Sequence, residues 1–159
     1  LMTFEYLHEQ EVVAFRSSTR RPLAELLPTF TSQGFALHDD TVSLDRSDNV
    51  PPWQHPSIVE VECQLDGDEV FGFDEGEWDT LLMKYLFASV PFEFVDQFVD
   101  VVITTGRLLG IEPKFHGNPV SGESLKEKFE RIREQLLSET GELAGSEQLA
   151  IIIQSTYPR

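Results

Sequence analysis

Apolar residues recur along this chain in two rhythms, every second position and every third or fourth, and the switches between them mark out its elements. In 3–16 two apolar clusters, Phe4/Tyr6/Leu7 and Val12/Val13/Phe15, flank His8-Glu9-Gln10-Glu11 and read as one or two strands. Leu23, Leu26, Leu27 and Phe30 follow at i, i+3, i+4 and i+7, with Pro22 at the start, where its missing N–H costs nothing. The ring of Pro28 collides with the preceding turn, so this helix is expected to be short or kinked and to end before Gly34. Phe35-Ala36-Leu37-His38 and Thr41-Val42-Ser43-Leu44 predict a hairpin about Asp39-Asp40, and the proline-rich stretch 45–56 reads as a loop.

Residues 58–65 alternate as a strand, with Ile58, Glu60, Glu62 and Gln64 on one face and Val59, Val61, Cys63 and Leu65 on the other; the polar face should meet water. Asp74-Glu75-Gly76-Glu77 has capping-box spacing, and Trp78, Leu81, Leu82, Tyr85 and Leu86 repeat as one stripe, which predicts a helix starting there. Pro91 opens a second helix over 91–109, closed by Gly110 as a left-handed cap. Its polar positions Glu93, Asp96, Gln97, Asp100, Thr104 and Arg107 form a narrow stripe on an otherwise buried surface. A short extended segment, 111–120, leads to a last helix over 124–139, with Ser124-x-x-Glu127 as its capping box and Leu125, Phe129, Ile132 and Leu136 inward. Leu149-Ala150-Ile151-Ile152-Ile153 is short and β-branched and reads as a buried central strand.

This order predicts an α+β fold: a mostly antiparallel sheet of about five or six strands with four helices packed mainly on one face. Two helix-glycine-strand units, 26–37 and 102–115, suggest a duplicated ferredoxin-like arrangement. A length of 159 residues, 40% of them hydrophobic, fits a single domain over 2–159. The single cysteine, Cys63, excludes an internal disulfide and a cysteine-rich zinc site within one chain, which points to a reducing, cytoplasmic setting. Acids near the start argue against an export signal, and Glu93, Asp96 and Asp100 break the longest apolar run, so no membrane span is expected.

Charge changes the picture most. The formal net charge is −16, and between Arg46 and Lys84 ten acidic residues occur with no lysine or arginine among them. Such a field repels a phosphate backbone, so nucleic acid is not an expected partner. The glycines Gly67, Gly72 and Gly76 lie among acids and form no phosphate cradle, and there is no Gly-x-Ser-x-Gly elbow.

Two functional readings follow. The first is a non-catalytic acidic module that docks a basic protein, in the manner of an immunity-type inhibitor or an accessory subunit. Its contact residues would be Glu93, Asp96 and Asp100 together with Asp66, Asp68, Glu69, Asp74 and Glu75. The second is a small-ligand or metal-dependent enzyme drawing on His38, Asp40, His55 and His116, since an imidazole beside a carboxylate is oriented and made more basic. No cofactor is implied, and the acids of 66–75 miss the ligand spacing of a calcium-binding EF-hand loop.

Overall fold

Along the longest strands of this chain buried side chains alternate with less buried ones, Val13 and Phe15 on one and Leu81, Met83 and Tyr85 on another. The computed structural model describes residues 10–38, 41–44, 60–86 and 95–140. Strands β1 (Gln10–Pro22), β4 (Glu60–Leu65), β5 (Asp68–Val70), β6 (Glu77–Leu86), β7 (Lys114–Phe115) and β8 (Asn118–Pro119) make one six-stranded sheet. Their order is β5-β4-β6-β1-β7-β8, and every neighbouring pair is antiparallel. Strands β2 (Phe35–His38) and β3 (Thr41–Leu44) form the expected hairpin as a separate two-stranded sheet, with Phe35 opposite Leu44 and His38 opposite Thr41. The helices are α1 (Leu26–Thr31), entered through a 3-10 turn at Leu23–Glu25, then α2 (Val95–Leu109) and α3 (Gly122–Thr140). Among the described residues, no helix is long and apolar enough to cross a membrane.

The register separates the faces of the sheet. Val13 lies opposite Met83 and Phe115, Phe15 opposite Leu81, and Cys63 opposite Leu81 and Val70. All of these but Val70 are buried, and Val70 packs against them half-buried. Helices α2 and α3 close this face with aromatic rings. Phe98 lies 5.1 Å and Phe129 5.4 Å from the ring of Tyr85, and Phe129 lies 5.5 Å from Phe98 and 5.8 Å from Phe115. Offset and tilted contacts of this kind add to the area they bury. On the opposite face Glu60 pairs with Lys84, Glu62 with Leu82 and Gln64 with Thr80, so the polar side of the predicted strand lies where alternation puts it. There Lys84 Nζ donates to Glu62 Oε1 at 2.8 Å and Gln64 Nε2 to Glu62 Oε2 at 2.7 Å, and these two bonds hold the Glu62 carboxyl below the usual carboxylate range.

Three expectations change. Residues 77–86 are the strand β6, between β4 and β1, and not a helix, so the fourth helix is absent from the described residues. Leu81 and Tyr85 satisfy a spacing of four and a spacing of two equally; Met83, buried between them, belongs only to the alternation. The duplicated ferredoxin-like arrangement is not seen either. The first helix-glycine-strand unit runs into the separate β2–β3 sheet, whereas the second runs into β7 of the main sheet. The capping box of α3 sits three residues earlier than expected. Ser124 N donates to Ser121 Oγ at 3.2 Å while Ser121 N donates to Ser124 Oγ at 2.9 Å, the reciprocal pair that closes a helix start. The end of α2 is as expected: Gly110, at φ 68°, lets its own N–H reach Arg107 O and Ile111 N–H reach Gly106 O. The apolar stretch 149–153 lies outside the described residues.

Burial pushes the Cys63 thiol up to about 12, and the nearby carboxylates of Glu62 and Glu69 push in the same direction. The folded chain therefore keeps a proton that the unfolded chain releases from about pH 9 upward. Stability is unaffected by this group below that point and declines as pH rises from about 9 toward 12. At pH 8 a disulfide reagent is expected to modify Cys63 only as fast as the protein opens and immediately in denaturant. Rapid labelling of the native protein would show that the site is not sealed.

Candidate interaction surface

A tight turn sets Asp66 and Asp68 at one end of the sheet. Asp66 (φ 53°) and Gly67 (φ 87°) take left-handed backbone between Leu65 and Asp68, which lie opposite one another. Asp-Gly is among the strongest two-residue hairpin signals because that turn requires positive φ at both central positions. Beyond β5 the chain loops back to β6, pinned by the buried Phe73 and by a hydrogen bond from Leu23 N–H to Gly76 O at 2.9 Å. Gly76 is held at φ 101°, where an added Cβ would stand 3.2 Å from Leu23 Cδ1.

This anchored tip turns its charge outward. Asp66, Asp68, Glu69, Asp74, Glu75 and Glu77 are all exposed. Asp66 accepts from Arg20 at 2.6 Å, and its N–H donates to Asp79 Oδ2 at 3.0 Å. Both partners of the Arg20–Asp66 pair are more than half exposed, so water screens it and it offsets little of the local field. Amid these acids Phe71 keeps 63% of its surface exposed, more than Leu108 or Leu27, the other large apolar residues exposed among the described ones. In sequence Phe71-Gly72-Phe73 looks like an apolar interruption of an acidic run; the structure divides it into an anchor, Phe73, and a presented ring, Phe71.

The carboxylates of α2 are elsewhere. Phe98 packs on Tyr85 near the end of β6, whereas Leu109 O accepts from Arg21 NH1 at 2.7 Å beside the start of β6, where Arg21 lies opposite Trp78. Helix α2 therefore runs back along the sheet, and Asp96 and Asp100 belong to the end of β6 opposite the acidic tip. Six residues of strand separate Asp79 from Tyr85, a distance on the order of 20 Å. Asp96 is also engaged: Lys126 Nζ stands 3.0 Å from its Oδ1, and that bond raises Lys126 above the usual ammonium range. Asp66 and Asp68 flank the β4–β5 turn with Glu69 next to them, Asp74 and Glu75 lie in the loop that leads into β6, and Asp96 and Asp100 lie toward the other end of that strand. Glu93 lies outside the described residues.

The histidine set is not assembled among the described residues. His116 occupies the β7–β8 turn at φ 52°, its ring exposed, with Nε2 3.2 Å from Glu11 Oε2 and the ring against Phe115. Asp40 and His55 lie outside the described residues, and His38 is described only as the last residue of β2. No group of three or more His, Cys, Asp or Glu that could hold a metal occurs among the described residues. Neither a scan against protein-family models nor searches of curated proteins and of solved structures finds a match for this chain.

Proposed function

We propose that this domain is a non-catalytic acidic interaction module that docks a basic protein at the β4–β5 tip and the loop that follows, as an immunity-type inhibitor or an accessory subunit does. The reading is supported by the exposure of Asp68, Glu69, Asp74, Glu75 and Glu77 along the β4–β5 turn and the loop into β6, the ion pair recorded there among the described residues being Arg20–Asp66. Convergent carboxylates raise the local concentration of a cationic partner and speed its arrival, an advantage that salt removes. The contact set is narrower than the one expected from sequence, since Asp96 and Asp100, in the first half of α2, lie toward the other end of β6.

The test is fluorescence anisotropy with a labelled oligolysine peptide at low and high salt. Binding is expected to weaken by roughly tenfold or more with added salt. Reversing Asp74 and Glu75 to lysine should remove most of it, whereas reversing Asp96 and Asp100 should leave most of it in place. Equal losses from the two pairs, or none from the first, would overturn the assignment of the tip.

A further inference from the structure

Resting on that docking reading, we infer that the partner is held as an added β-strand: an extended basic segment pairs with the outer edge of β5, with Phe71 as its anchor. The two-residue turn makes Leu65 and Asp68 the hydrogen-bonded pair that closes the hairpin. The next pair along, Gln64 and Glu69, is then a non-hydrogen-bonded one, so the N–H and C=O of Glu69 point away from β4. Strand β5 ends the sheet, so among the described residues no strand receives them. The other end of the sheet is closed to such pairing by Pro119 in β8, which has no N–H to offer.

Side chains along this edge define what fits. Glu69 is exposed and shares a face with Gln64, and two residues on, Phe71 presents its ring. A strand laid alongside would place one residue opposite Glu69 and another, two positions away, beside Phe71. A cation is favoured at the first by direct cross-strand pairing. An arginine is favoured at the second, where its guanidinium can lie over the ring. The residue between them turns to the other face, near the half-buried Val70, and is best apolar. The preferred segment thus alternates basic and apolar residues. A second copy of this chain is a poor occupant, because an antiparallel β5–β5 contact sets Asp68 and Glu69 against their own like charges.

The inference is tested on the full ¹⁵N-labelled chain with a synthetic peptide alternating arginine and valine, and with the same peptide fully N-methylated along its backbone, which keeps the charge and removes the strand donors. The expected result is a set of amide shifts centred on 68–71 and slowed exchange of the Glu69 amide with the first peptide, together with roughly tenfold weaker binding of the second. Phe71→Ala is expected to weaken the first peptide by about threefold to fivefold. Equal affinity for both peptides, indifferent to Phe71, would overturn strand addition while leaving the acidic docking surface standing. Failure of both peptides to bind at low salt would overturn both readings, and a dimer paired through β5 in sedimentation would overturn the choice of occupant.

Discussion

Replacing Phe129 with alanine is expected to lower the unfolding free energy by about 3–5 kcal/mol, a large share of the 5–15 kcal/mol typical of a domain. Phe129 is fully buried and its ring touches those of Tyr85 on β6, Phe98 on α2 and Phe115 on β7. One side chain therefore joins both long helices to two strands. The cavity left by alanine faces three further aromatic rings, which are too rigid to collapse into it fully. Denaturant unfolding followed by circular dichroism measures the loss, with Phe129→Leu recovering more than half of it. A loss below about 1 kcal/mol would mean that α3 contributes little to the core.

The second large effect reverses an ordinary preference. Glycine inside a helix is about 1 kcal/mol worse than alanine, so Gly106→Ala in α2 would normally stabilise. Here the added Cβ would stand 2.9 Å from Ile111 O, 3.1 Å from Pro113 Cδ and 3.5 Å from Phe15 Cε1. The crowding comes from the chain folding back over the helix end, where Ile111 N–H is bonded to Gly106 O on its way to β7. Gly106→Ala must displace backbone and is expected to destabilise by about 1–3 kcal/mol. The melting temperature of the variant, compared with that of the parent, gives the sign; a rise would show that the 111–113 segment yields freely.

What could be read from the sequence was whatever local chemistry decides. Pro28 and Gly34 bound a short α1, Gly110 ends α2, and the hairpin of β2 and β3 follows from two short apolar runs about a turn. The polar face of β4 follows from strict alternation of Glu60, Glu62 and Gln64, although these residues are half-buried and not fully open to water. Where partners decide, the reading failed. Leu81, Leu82, Met83 and Lys84 all favour helix intrinsically, and residues 77–86 form a strand because β1 and β4 lie on either side to pair with them. Polar residues 16–21 gave no strand pattern, yet β1 continues through an irregularity until Arg21 meets Trp78. The candidate surface was half legible. Its acids are plain in the composition, and the Asp66-Gly67 dipeptide is a turn signal that could have located the tip. That the start of α2, with Asp96 and Asp100, lies at the far end of β6, and that Phe71 faces outward while Phe73 is buried, depends on tertiary packing that no local pattern encodes.

The position of β1 within the sheet bears on how the protein is made. It lies between β6 and β7, both of which are synthesised long after it, whereas β4, β5 and β6 are joined by short connections and can zip together on their own. Strand β1 is made before either of its sheet neighbours, and closing the long loop back to β6 is the entropically expensive step. Strands β4, β5 and β6 are thus the natural early folding unit, and β1 joins at the side of β6. Val13 and Phe15, buried in the folded protein, therefore lack their cover until β6 and β7 exist, which leaves an apolar strand face open to aggregation in the meantime.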